Sequence, residues 1–143
     1  MSRMPLHWTV SHPQRLVIAI AKGEVKAEEV DKYLADIFAQ GGGPYRKMFD
    51  VSQTNTAFDE SVLKGFAETV RRQAAIGPIG PVAIVASSDE TFRQAGVFAA
   101  AATVERPIKI FREQHEARRW LNAFAEEQQR VGEKRDAIRA KRS

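Results

Sequence analysis

The chain has 143 residues, 22 Lys plus Arg against 18 Asp plus Glu, a net charge of +4, and no cysteine. This length gives one ordinary domain that can bury a core without a disulfide or a metal, and 43% apolar with 28% charged residues excludes disorder. The absence of cysteine excludes disulfides, thiolate metal sites and cysteine nucleophiles; no apolar run approaches a membrane span, the start lacks the long apolar stretch of a signal peptide, and a cytoplasmic location is expected.

Trp8–Ser11 is a short apolar stretch that His12-Pro13 interrupts, which predicts a turn between two strands. Arg15–Ala21 follows with six apolar residues, several β-branched, and reads as a buried strand ended by Gly23. Val30, Tyr33, Leu34, Ile37 and Phe38 recur at helical spacing, with acidic residues early in the helix and Gly41-Gly42-Gly43-Pro44 behind it. Arg46–Val51 reads as a second core strand, and Ser52–Thr56 as a polar loop. Val62, Leu63, Phe66, Ala67 and Val70 mark the next helix, with Thr56 and Asp59 spaced as a capping box.

Gly77–Pro81 is a loop and Val82–Ala86 another buried strand. Ser87-Ser88-Asp89-Glu90 has the spacing of a capping box with Ser87 as the cap, and opens a helix rich in small residues. Arg106-Pro107 ends that helix, Ile108–Ile110 alternates as a short strand, and the last helix starts near Glu113 with Ala117, Trp120, Leu121 and Phe124 on one face. The order β-β-α-β-α-β-α-β-α predicts an α/β fold: a single mixed, mostly parallel five-stranded sheet with four helices, the first two strands antiparallel.

Residues 1–129 hold sixteen basic and sixteen acidic side chains, so the whole net charge lies in a basic tail, 130–143, expected to continue the last helix. Lys and Arg there complement the negative end of a helix dipole. With no aromatic interleaved and a neutral body, no nucleic-acid binding is expected. The spacing Ala117, Leu121, Phe124, Gln128, Val131, Arg135, Ile138 continues a heptad-like stripe, which suggests a homodimer through the last helix.

Sites in such sheets form outside the carboxyl ends of the parallel strands. The most polar segment there is Asp50–Ser61, with Asp50, Ser52, Asn55, Asp59 and Ser61 as candidates. Asp59 and Glu60 are adjacent and so point apart; stabilisation of a helix start is the simpler reading than a general acid/base pair. Ser61 has no histidine in these loops to activate it. His7, His12 and His115 are scattered without metal-ligand spacing. Ser87 and Ser88 open a helix and are a candidate anion-binding start, beside the plainer reading as a cap. Neither glycine-rich stretch leads into a P-loop or a dinucleotide fingerprint. No catalytic residue, metal or cofactor is expected.

The element order and Phe58-Asp59-Glu60-Ser61-Val62-Leu63 resemble the STAS superfamily of anti-sigma-factor antagonists and its SpoIIAA-like relatives, over roughly residues 7–125. In that superfamily a helix starts with an Asp-Ser-Ser-Gly-Leu type motif whose second Ser is phosphorylated in the antagonists. Asp59 stands at the motif Asp, Ser61 at the phosphorylated Ser and Leu63 at the Leu, while Glu60 and Val62 replace the first Ser and the Gly. Ile108–Phe111 followed by Glu116-Ala117 and Trp120-Leu121 resembles the SpoIIAA-like group, which is related in fold to Sec14-type lipid-binding domains. The resemblance implies a STAS-like domain over 1–129. It also implies a non-enzymatic regulatory or protein-interaction role, in which an unknown protein partner meets the loop before the second helix and that helix's start. The alternative is a module for a small apolar ligand, which needs a space beside Ala95, Gly96 and Ala99–Ala102 that Phe92, Phe98 and Trp120 do not fill.

Overall fold

Apolar runs bounded by glycine or proline become the strands, and the runs with a period near 3.6 become the helices between them. The computed structural model describes residues 5–102, 107–125 and 138. The elements are β1 (Leu6–Ser11), β2 (Leu16–Gly23), α1 (Ala27–Ala39), β3 (Arg46–Thr54), α2 (Glu60–Ile76), β4 (Val82–Val85), α3 (Asp89–Ala102), β5 (Ile108–Phe111) and α4, helical over 114–125. They form the α/β fold and element order that the sequence predicts. The extension of α4 past Ala125, the basic tail and the stripe through Gln128, Val131 and Arg135 lie outside the described residues, and Ile138 is exposed.

The strands lie in the order β1-β2-β3-β4-β5. β1 and β2 are an antiparallel hairpin, and each later neighbour is parallel. Four parallel strands laid down in sequence, each joined by a right-handed crossover, place all the connecting helices on one face. α1, α2 and α3 accordingly cover that face, over Val17, Ala19 and Ala21 of β2 and the matching positions further along the sheet. α4 takes the other face, where Ala117 and Leu121 meet Met48, Ala83, Val85 and Phe111. α1 stops where Gly41 adopts φ 77, a conformation that a residue with a Cβ reaches only at a cost, and Gly42 N–H returns to Ile37 O at 2.9 Å.

Two caps differ from the sequence reading. α2 begins at Glu60, which makes Asp59 the cap and leaves Thr56 outside the helix. Thr56 Oγ1 instead accepts the Val25 N–H at 2.7 Å, tying the loop after β3 to the loop after β2. α3 begins at Asp89, so the cap is Ser88 rather than Ser87, and Ser88 Oγ accepts the Thr91 N–H at 3.1 Å. A spacing of three residues fits either serine; the helix start chooses the one whose oxygen faces a free N–H.

Alternation along β3 sends Arg46, Met48 and Asp50 toward α4 and Lys47, Phe49 and Val51 toward the three other helices. Arg46 donates to Leu121 O of α4 at 3.4 Å and to Gln14 O of the β1–β2 turn at 3.0 Å. Asp50, also buried, accepts from Gln114 Nε2 of α4 at 3.2 Å. Its other oxygen accepts from the Ser52 N–H and hydroxyl, at 2.8 and 2.6 Å. These polar contacts fasten α4 over the apolar patch it covers. Asp50→Ala leaves three donors without their acceptor and is expected to lower the unfolding free energy in urea by about 2 kcal/mol. Asp50→Asn, whose amide oxygen still accepts from Ser52, is expected to cost less than half as much. Equal losses in the two variants would assign the effect to the charge instead.

Candidate functional site

At the carboxyl ends of β3, β4 and β5 the expected site residues divide into two groups. Asp50 and Ser52 are joined as described, and Ser87 Oγ donates to Ser52 O at 3.1 Å. Arg112 Nη1 donates to Ser87 O at 3.1 Å, pairs with Asp89 at 3.0 Å, and its guanidinium lies 4.2 Å from the Phe92 ring centroid. The chain of contacts from Gln114 through Asp50, Ser52 and Ser87 to Arg112 binds the strand ends to one another. Ser88 spends its hydroxyl on the first turn of α3. Asn55, Asp59 and Ser61 lie apart from this group, exposed on the loop and the start of α2, where Asp59 makes no side-chain capping bond. Glu60 pairs with Lys64 at 3.1 Å, one turn on. On α4 and the residue before it, exposed Glu113, His115 and Glu116 bring ligand atoms within 4.8 Å of one another, with His115 Nδ1 3.2 Å from Glu113.

A concave feature lies on the opposite face of the sheet from α4. Between the sheet and α1–α3 is a cavity of about 140 Å³. Its floor is Lys47, Phe49 and Val51 of β3 with Val82, Ile84 and Ile108 of the neighbouring strands. α1 contributes Val30, Tyr33, Leu34 and Ile37; α2 contributes Leu63, Phe66 and Val70; α3 contributes Gln94, Ala95 and Phe98. Phe49, on the middle strand, lines the cavity and keeps some accessible surface. Neither Phe92 nor Trp120 fills the space: Phe92 lies under Arg112, and Trp120 packs against Phe111 and Phe124 on the α4 side. Phe98 is a wall of the cavity, and among the small residues of α3 Ala95 opens onto it.

Polar groups stand at its two ends. Toward the carboxyl ends of the strands are Thr54, Thr56, Thr91 and Gln94. Gln94 Oε1 accepts the Phe58 N–H at 3.0 Å, so the loop after β3 is hooked onto α3 and Phe58 closes this end. Toward the amino ends is Lys47, 6% exposed, whose Nζ donates to Gly43 O at 2.5 Å and Tyr45 O at 2.8 Å. Gly80 holds that carbonyl pair in place: its N–H donates to Gly43 O at 2.9 Å, and a Cβ there would collide with the Tyr45 and Pro44 carbonyls. Tyr33 stands edge-on to Trp8 and Phe49, and burial raises its phenol above the ordinary value. Among the described residues no side chain bonds the Tyr33 hydroxyl and no carboxylate pairs with Lys47. Burial therefore lowers the Lys47 amine to about 7.

Lys47, Tyr33 and Gln94 are the residues that sequence reasoning missed. The available signal was Arg46-Lys47 at the start of an apolar strand: with a period of two, one of two adjacent cations on a strand covered on both faces must enter each side. No family model matches the chain, and no curated protein sequence matches it.

A lysine with a lowered folded-state pKa gives the stability curve a definite sign. Between about pH 7 and pH 10 the unfolded chain holds a proton that the folded chain has released, so the unfolding free energy rises with pH, by at most about 1.4 kcal/mol per unit. Below about pH 7 both states are protonated and the full cost of burying the charge remains. Lys47→Met, similar in shape and uncharged, is expected to be more stable than the native chain at pH 6, with the gap closing toward pH 10. Urea denaturation of both chains across this range checks it; parallel curves would show that Lys47 is not the titrating group.

Proposed function

We propose that the chain is a non-enzymatic binding module whose ligand is a small apolar molecule held between the sheet and α1–α3. The cavity carries this reading. Its size is close to that of an engineered apolar cavity of about 150 Å³ that stays dry and binds benzene. A ligand of that bulk is a single ring or a short chain, well below a phospholipid. Walls of Phe, Val, Leu and Ile with a few polar groups at the ends are the usual make-up of such a site. The resemblance to Sec14-related folds agrees with it in kind, with a smaller ligand.

A second reading is regulation through protein contact at the start of α2, in keeping with the STAS resemblance. The observation favouring it is that Asn55, Asp59, Glu60 and Ser61 are all exposed on one continuous stretch. A phosphate on Ser61 would add nearly two negative charges beside Asp59 and Glu60 and repel an acidic partner. Ser61→Asp and Ser61→Ala are expected to change partner capture in opposite directions, and a pull-down insensitive to both ends this reading.

For the cavity the probe is toluene. In about hundredfold excess over its Kd it is expected to raise the melting temperature by roughly 5–10 °C. Ala95→Leu fills the space from α3 and is expected to remove that shift without lowering the melting temperature of the free protein. A full toluene shift in Ala95→Leu, or none in the native chain, would rule the cavity out as the site.

A further inference from the structure

Lys47 gives the cavity a chemical preference at one end. Its side chain lines the amino end of a largely apolar cavity, and its Nζ reaches two carbonyl oxygens, of Gly43 and Tyr45. An ammonium has three N–H donors, so one is left over. Lys47 and Tyr33 are the titratable side chains that line the cavity among the described residues; α2, α3, β4 and β5 contribute none. A cation taken out of water with only neutral acceptors is costly, and an anion brought in by a ligand supplies the missing counter-charge.

We infer that the ligand of this cavity is a small apolar carboxylic acid, its ring or short chain lying against Phe49, Phe66 and Phe98 and its carboxylate accepting from Lys47 Nζ. This rests on the ligand-binding reading above and names the class of ligand within it. One lysine matches one negative charge. A phosphate, with its greater charge, is best matched by a guanidinium fork, and no arginine lines the cavity among the described residues. The arriving carboxylate favours the protonated form of Lys47, against the burial that lowers its amine. The remaining bulk, about that of benzene, limits the acid to roughly the size of benzoate.

Benzoate and benzyl alcohol share a ring and differ at the head, so their affinities separate the charge from the cavity. Isothermal titration of the full chain at neutral pH is expected to show benzoate binding about tenfold more tightly than benzyl alcohol. Lys47→Met is expected to lose that preference. Equal affinities in the native chain, or a preference that survives in Lys47→Met, overturn the inference and leave the apolar cavity as a site. Failure of both probes to bind overturns the inference together with the reading it rests on. The native chain supplies a second readout that does not depend on a variant folding: the Lys47 Cε resonance should titrate at higher pH with benzoate than without. An unmoved titration also overturns the inference.

Discussion

The period of two along β3 governs both sides of this molecule. One face of that strand carries Arg46, Met48 and Asp50, and the other Lys47, Phe49 and Val51. On the first face the two charged groups lie at either end of an apolar centre, and both are occupied by α4 and the loops beside it. They give α4 an orientation that apolar packing, which is non-directional, would leave loose. On the second face the single charged group of the strand meets no acid among the described residues. A slip of one residue in the β3 register would exchange the two sets and bury Arg46 and Asp50 beneath α1–α3. The two faces are thus set by the same constraint, and the cavity exists on the side where the strand's charge is uncompensated.

That cavity depends on contacts far apart in the chain. Its carboxyl end is closed because Gln94 of α3 holds the Phe58 N–H, and Thr56 holds the Val25 N–H. Its amino end is closed because Gly80 lets one loop lie against the carbonyls of another, which then receive Lys47. Between these ends the floor is aromatic and β-branched. Dispersion from such a lining is strong only for an occupant that touches several walls together, which favours a compact ring over a long flexible chain. The exposed start of α2 follows directly after Phe58 in sequence. An occupant pressing on Phe58 would bear on the same loop that the second functional reading uses.

The fold could be read from the sequence because its signals are local. Arg15–Ala21 and Val82–Ala86 are apolar runs too short for helices and flanked by Gly or Pro, while Val30–Phe38 keeps a helical spacing; each describes its own element. The caps were less legible: Thr56 and Ser87 have the right residue type and spacing, but which serine or threonine caps depends on where the backbone turns helical. The cavity was the least legible part. Ala95 was recognisable as small, yet whether Phe98 and Trp120 would fill the space depended on which face of the sheet each helix took. Phe98 arrives through a right-handed crossover on one face, whereas Trp120 follows the last strand and is free to cross to the other.

Lys47 also separates structural from functional explanations of a buried charge. A lysine kept to fasten the loop before β3 would gain from full protonation, since an ammonium makes stronger hydrogen bonds to carbonyls than an amine does. Its surroundings do the reverse: burial favours the neutral form, and the Gly43 and Tyr45 carbonyls do not offset it. An amine with two N–H groups donating to two carbonyls has its lone pair left, and the protonated form has a third N–H in the same place. Either way one position on nitrogen is unused. The amino end of the cavity is therefore the place where a charge is buried without a counter-charge among the described residues, and such breaks of the local rules for a stable core are where function is to be sought.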